Sequence, residues 1–476
     1  MYGMIKFEDF EIRKETKYSK LSYYYENEKV DEFELEKELR KDLFDNIKNL
    51  FQNDEIQDFQ FCDENIIEIQ IPENIKIIKE GAFSRCKNLK KVILPKDITK
   101  ISGSTFSNCK CLTSINIPDN VTTIEYNAFI RCENLLKIDI PDNVTTIESS
   151  AFEDCNSIEK IIIPENLTNI RMGVFSPCHR LEKIIVDKNN PVYDNRNNCN
   201  AIIETETNTL IQGCKNTIIP DDITKFDEYA FFGCLGIEKI NIPDSVKEIG
   251  DSTFAYCENL KNIHLSDNII DIGEWAFQNC IKLQEIKLPN KITKIKNGMF
   301  YECSNLETII LPENLESIEE NAFSECVALK QIIIPDSVEN IQEGAFTGCT
   351  NLKEIIIPFN MTYISENTFS NCKSLESITI PENITSIKSE AFLNCISLTN
   401  ITIPESVINI ESYAFNGCTN LKEVTIYNKN AKINKTAFDK NTKIIIKEKS
   451  EKDLDTMIKD FSTNKDIINV NNELEK

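Results

Sequence analysis

The apolar positions of this chain recur as a block that repeats every 23 residues. One block, Leu329 to Asn351, reads LKQIIIPDSVENIQEGAFTGCTN. Its pattern generalises to L-x-x-I-x-I-P-[DE]-x-[VI]-x-x-I-x-x-x-A-F-x-x-C. Two changes of spacing predict its elements. Ile332 and Ile334 share a face, as alternate residues of a strand do, with Ile333 on the other face. Pro335 ends that strand because it has no N–H to donate, and Asp336-Ser337 supplies turn chemistry. Val338 and Ile341 are spaced to point inward again from a second short segment. Small Ala345 and bulky Phe346 then begin a turn of α-helix or 3₁₀ helix that ends near Cys349.

The register is kept along most of the chain. Proline marks it at 72, 95, 118, 141 and 164, at 220 and 243, and from 289 to 404 in steps of 23. Phenylalanine keeps the same step from Phe83 to Phe175 and from Phe231 to Phe438, which makes 15 copies. Pro164 and Pro220 are 56 residues apart, two periods plus ten, so one unit around 188–215 carries an insertion of ten residues. A single block cannot bury this many apolar groups, whereas stacked blocks line them up as ladders through one continuous core. With strands spaced about 4.8 Å apart, about 15 units make a ribbon of roughly 70 Å, folded as a rod or arc.

The period, with L-x-x-I-x-I-P, A-F and Cys at fixed offsets over residues 61–447, resembles the BspA-like leucine-rich repeats, also called the Treponema-type repeats. The resemblance implies an α/β solenoid of about 15 repeats with a parallel β-sheet on its concave face. It also implies a place on a cell surface and adhesion to host matrix proteins or to other cells, with no catalysis and no cofactor. Asn200-Ala201-Ile202-Ile203, followed by Asn208 to Cys214, looks like the hairpin insertion that such proteins often carry. The start, Met1 to Asp9, is broken by acidic residues and does not read as a signal peptide. No surface anchor or transmembrane tail is recognisable, so a cytoplasmic scaffold stands as the alternative to the surface adhesin.

The two ends leave the register. In residues 1–60, Ile5, Phe7, Phe10 and Ile12, then Leu21, Tyr23 and Tyr25, are patterned as strands, while Leu35, Leu39, Leu43, Ile47 and Leu50 recur at helical spacing. This predicts a small α+β cap or leader over the first repeat. At the other end, Ile444-Ile445-Ile446 reads as a last strand. Leu454, Met457, Ile458 and Phe461 make one face of a closing helix within residues 448–476.

Composition narrows the function. With 41% hydrophobic residues the chain can build a core, and no run of about 18 apolar residues predicts insertion in a membrane. The formal net charge of −24 repels phosphate backbones and makes nucleic acid a poor partner. Of the 18 cysteines, 14 stand in register. Zinc needs about four converging ligands, whereas a ladder presents one sulfur per unit, and His179 and His264 are the only histidines. The ladder therefore reads as small buried thiols filling the corner behind each Phe, in a number that suits a reducing compartment. If the insertion is a hairpin pairing Ile203 with Leu210 and Ile202 with Ile211, Cys199 faces Cys214, the one candidate disulfide. No catalytic motif appears, since the carboxylates after each Pro belong to the repeat and neither histidine sits in a triad or metal motif.

In a solenoid, binding falls to the variable outward positions of the sheet. Here that column reads Ile93, Asn116, Asp139, Ile162 and Ile185, then Asn241, His264, Lys287, Ile310, Ile333, Ile356, Thr379, Thr402 and Thr425. Water alone would favour polar residues throughout. The β-branched run is either good sheet propensity without further meaning or an apolar strip for a protein partner, a host matrix or cell-surface protein on the family's precedent. Beside it, Lys137, Lys160, Lys183 and Lys239 form a basic row, suited to an acidic ligand unless the adjoining Glu159, Glu182 and Glu238 neutralise it.

Overall fold

The computed structural model describes residues 3–7, 10–15, 20–25, 28–30 and 54–448, with side chains over 54–448. The chain divides into two compact units, residues 1–220 with 227–236, and residues 221–226 with 237–476. Each is a parallel-strand β-solenoid with about 23 residues per turn, and there are about 17 turns in all.

Every regular turn offers two strand positions. The first is the L-x-x-I-x-I segment. In the first unit Glu68–Gln70, Lys91–Ile93, Ser114–Asn116 and Lys137–Asp139 pair in parallel, and Lys160–Ile163 pairs with Lys183–Val186. In the second unit the same ladder appears in shorter pieces, such as Thr308–Ile310 on Glu285–Lys287 and Glu354–Ile356 on Ser377–Thr379. Each register is the repeat itself, Ile115 opposite Ile138 and Ile355 opposite Ile378. Ile332–Ile334 departs from expectation. It alternates buried, exposed, buried, yet it is not paired as a strand. The second strand position is the short segment after the Pro turn, and it forms its own ladder of two-residue strands. Lys100–Ile101, Thr123–Ile124, Thr146–Ile147 and Asn169–Ile170 make one run, and Tyr363–Ile364 through Lys432–Ile433 make another.

The helical stretch expected between Ala345 and Cys349 is instead a pair of tight turns. Gly344 and Gly348 both have left-handed backbones, at φ 63° and 73°, so right-handed turns cannot run on into a helix. The Phe346 N–H donates to Thr368 O of the following repeat at 2.9 Å, and Phe129 reaches Ala151 O in the same way at 2.8 Å. Backbone bonds that a helix would spend internally thus tie one turn to the next. The same two left-handed positions recur along the solenoid and are often filled by residues other than glycine, such as Arg131, Asp154 and Glu302. Among the described residues the only helix is a 3₁₀ turn, Arg196–Asn198.

Inside each unit the phenylalanines stack face to face. Phe61, Phe83, Phe106, Phe129, Phe152 and Phe175 follow one another at centroid separations of 4.9 to 5.6 Å. Phe254 through Phe438 do so at 4.9 to 5.7 Å. Phe61 adds a turn that the sequence column missed, because it precedes Phe83 by 22 residues and not 23. Leu, Ile and Val of both ladders close the core around the stack.

Four antiparallel strands precede the solenoid: β1 (Gly3–Phe7), β2 (Phe10–Glu15), β3 (Lys20–Tyr25) and β4 (Glu28–Val30). β1 runs antiparallel to Glu68–Gln70, with Ile5 opposite Ile69, so the meander continues the first ladder past its first turn. The helix expected over Leu35 to Leu50 and the closing helix at Leu454 to Phe461 lie outside the described residues.

The insertion forms an antiparallel sheet of Tyr193–Asp194, Ile202–Glu204 and Thr209–Gln212. Ile203 pairs with Leu210 as expected, but a bulge shifts Ile202 onto Gln212 and not Ile211. That slip removes the argument that set Cys199 against Cys214. Both thiols are free, without the candidate disulfide, and Cys214 Sγ donates to Asn200 O at 3.4 Å. Arg196 brackets Asp194 with three bonds of 2.7 to 2.9 Å. Burial works to raise the Asp194 carboxyl, but these bonds outweigh it and hold the group below the usual carboxylate range.

Candidate protein-binding face

Alternation along the first ladder turns every second side chain to solvent. In Thr308–Ile310 and Lys160–Ile163 the middle isoleucines Ile309 and Ile161 are buried, while Ile310 and Ile162 are 54% and 45% exposed. Ile333 is 38% exposed between buried Ile332 and Ile334. Ile185, Ile356, Thr379, Thr402 and Thr425 occupy the same outward position and are half-buried by their neighbours. Parallel pairing places Ile162 beside Ile185, Ile356 beside Thr379, and Thr402 beside Thr425. Ile310 has Lys287 on one side, and Ile333 lacks a ladder partner.

The basic row divides between the units. In the first, Lys160 stands directly opposite Lys183 on adjacent strands. Lys137 is drawn to Asp139 in its own strand at 2.7 Å. The carboxylates beside the other two are taken elsewhere, Glu159 by Arg180 at 2.7 Å and Glu182 by Lys215. In the second unit, Glu238 accepts from Lys261 at 2.9 Å, a hydrogen bond that holds its carboxyl below the ordinary range, and Lys239 is left exposed next to it. The adjoining carboxylates therefore do not neutralise Lys160, Lys183 or Lys239 by direct pairing. Next to His264, a hollow of about 350 Å³ is lined by Asp244, Ser266 and Lys287, and Asp244 accepts from the Ser266 hydroxyl at 2.8 Å.

The cysteine ladder has a role beyond filling space. In repeat after repeat the thiol donates to the backbone carbonyl of the Phe one turn back, as Cys132 to Phe106 O and Cys303 to Phe277 O, at 3.2 and 3.0 Å. Desolvation pushes the Cys86, Cys132 and Cys303 thiols up to about 12. Thiols so protonated are poor nucleophiles and poor metal ligands. All 18 cysteines are free. Among the described residues no group of three or more His, Cys, Asp or Glu is placed to hold a metal ion, and no helix is long and apolar enough to cross a membrane.

No curated protein matches the chain. The chain is similar in structure to a leucine-rich repeat protein from Bacteroides ovatus, with 27% identity and a TM-score of 0.52 over 80% of this chain and 95% of that one. It shares its fold with a leucine-rich repeat protein from Eubacterium ventriosum, at 20% identity and a TM-score of 0.51, over 86% and 93% of the two chains. The BspA type leucine rich repeat region matches in six copies, over residues 54–190, 209–330 and 316–445. Repeat length, paired ladders and these matches agree, and the chain belongs to the BspA type leucine-rich repeat family.

Proposed function

We propose that the chain is a non-catalytic protein-binding protein that acts at a cell or host surface, with the outward face of the first ladder as its binding surface. The observation that carries this reading is the outward column of exposed Ile310 and Ile333, followed by half-buried Ile356, Thr379, Thr402 and Thr425, where a column facing only water would be polar. Ile162 and Ile185 repeat the feature in the first unit, and Lys160 with Lys183, free of carboxylate partners among the described residues, suits an acidic patch on the ligand. The surface location and adhesive role follow the family's precedent. The strands β1 to β4 act as a cap of the solenoid: β1 occupies an edge of Glu68–Gln70 that would otherwise invite pairing with another chain.

One observation favours a second reading, an intracellular scaffold. Eighteen free thiols suit a reducing compartment. The two readings part in one experiment, in which intact cells producing the protein are treated with a membrane-impermeant biotin reagent or with protease, beside a cytosolic control. Labelling before lysis supports the surface protein, and binding to immobilised matrix proteins then follows. Protection until lysis discards it in favour of the scaffold.

A further inference from the structure

The first and last turns differ in how their inward residues are covered. In the first turn Ile56 and Ile69 are fully buried, and β1 runs along the strand that carries Ile69. In the last turn the strands are Lys432–Ile433 of the second ladder and Lys443–Ile446 of the first. Each keeps the register of the turn before it, with Ile433 opposite Ile410, Ile444 opposite Val424 and Ile446 opposite Ile426. Ile410, Val424 and Ile426 are 0% exposed, whereas Ile433 is half-buried and Ile444 and Ile446 are 40% and 53% exposed. The same inward positions thus lie open where no further turn follows among the described residues. Lys443–Ile446 is also the outermost strand of its sheet, an apolar edge of the kind that solenoids and sheets normally cover.

Charge sets this end apart as well. Residues 427–448 carry six lysines against Asp439 and Glu448, on a chain whose formal net charge is −24. Lys429 meets Glu448 at 3.5 Å and Lys443 meets Glu423 at 3.1 Å. Lys432, Lys435 and Lys440 are exposed and in no ion pair among the described residues. The surface that fits here is therefore apolar in the middle and acidic at its edges. The sequence directly after Glu448 has that pattern. At about 100° per residue, Leu454, Met457, Ile458 and Phe461 form one stripe of a helix, flanked by Asp453 and Asp460 on one side and Asp455 on the other. Lys452 and Lys459 fall at the back of the stripe. Ser450 with Asp453 three residues on is a helix-start signature.

We propose that residues 451–461 fold back as a short helix across this open end. Leu454, Met457, Ile458 and Phe461 cover Ile433, Ile444 and Ile446, and the flanking aspartates meet Lys432, Lys435 and Lys440. The dimensions agree: a helix of this length is about 16 Å long, enough to cross two ladders about 10 Å apart. The segment begins two residues after Glu448, so its effective concentration at the open end exceeds that of a second copy in solution. The closure uses the end of the core and is independent of the outward strand column.

The test is photo-cross-linking in the full chain, with benzoylphenylalanine in place of Met457 and the products mapped by mass spectrometry. Cross-links should join position 457 to peptides within 427–447 in a product of monomer mass. Products of dimer mass would make this end an interface between copies and overturn the proposal, as would links confined to other turns or no link at all. Hydrogen exchange in the full chain gives an independent reading. Met457→Asp with Phe461→Asp should speed exchange at Lys443–Ile446 at least tenfold and leave the turn around Phe323 unchanged. Exchange at Lys443–Ile446 that stays at the parent rate overturns the proposal too.

Discussion

The Cys349 thiol donates to the backbone carbonyl of Phe323, 3.2 Å away in the preceding repeat, directly below the ring on which Phe346 stacks. That carbonyl also accepts the Cys326 N–H at 3.1 Å, so the thiol is its second donor, at a place water does not reach because both residues are fully buried. Cys349→Ala therefore removes this second donor as well as volume while the carbonyl keeps its backbone bond, a loss of about 1 kcal/mol. Urea unfolding of the variant checks the value, and an unchanged midpoint would reduce the ladder to space filling.

The same thiols make the fold sensitive to alkali. Desolvation raises Cys86, Cys132 and Cys303 from about 9 when unfolded to about 12 when folded. Below pH 9 both states keep the proton and the contribution is complete. Between pH 9 and 12 the unfolded chain loses protons that the folded chain retains, so stability falls as pH rises. The urea midpoint should drop steadily from pH 8.5 to 10.5, and a Cys132→Ala, Cys303→Ala double variant should show a shallower slope. A midpoint flat across that range would contradict the burial of these groups. In native protein at pH 8, a thiol reagent should reach the half-buried Cys62, Cys111 and Cys234 before any other, whereas burial pushes the Cys178 thiol far up.

Phe346 lies between Phe323 at 5.3 Å and Phe369 at 5.7 Å, so removing its ring opens a gap in the stack that rigid turns cannot close. Phe346→Ala should cost about 3–5 kcal/mol. Because a solenoid is stabilised turn against turn, hydrogen exchange should accelerate in the two flanking repeats and stay unchanged in the first unit.

Gly298 meets two demands at once: its φ of 56° favours a residue without Cβ, and a Cβ there would lie 2.1 Å from the Trp275 ring. Gly298→Ala should destabilise the fold by about 1–2 kcal/mol from the backbone alone and also displace the indole. The emission maximum of the single tryptophan should then move, which separates ring displacement from simple loss of stability.

Much of the fold was legible because a repeat states its pattern many times over. Pro164 and Ile341 mark strand ends that their counterparts mark in most other turns. The turns were misread because left-handed positions are often filled by Arg131, Asp154 or Glu302, residues that look compatible with a helix, and only backbone bonds to the next turn decide the matter. The pairing of Ile202 failed for a related reason, since a bulge leaves no mark in period-two spacing. The outward placement of Ile310 and Ile333 is local and was readable. That Glu159 and Glu182 turn to Arg180 and Lys215, leaving Lys160 and Lys183 side by side, depends on contacts across repeats that no spacing rule reports. The thiol bond was missed likewise, since a cysteine in register shows no partner in the sequence.

The strand face itself gives the sharpest separation of binding from folding, because adjacent isoleucines have opposite surroundings. Ile332 is 3% exposed and Ile333 is 38% exposed. Aspartate at 332 places an unpaired charge in the core and should unfold the surrounding turns. Aspartate at exposed 333 and half-buried 356 together keeps the fully buried set intact, so circular dichroism should stay native and stability should fall by no more than about 1–2 kcal/mol. If the exposed column is the interface, the Ile333→Asp, Ile356→Asp variant should lose partner binding by at least about 2 kcal/mol, as central interface positions do. Measured against an immobilised partner, retained binding in a folded double variant would remove the strip from consideration and transfer the search to Lys160 and Lys183.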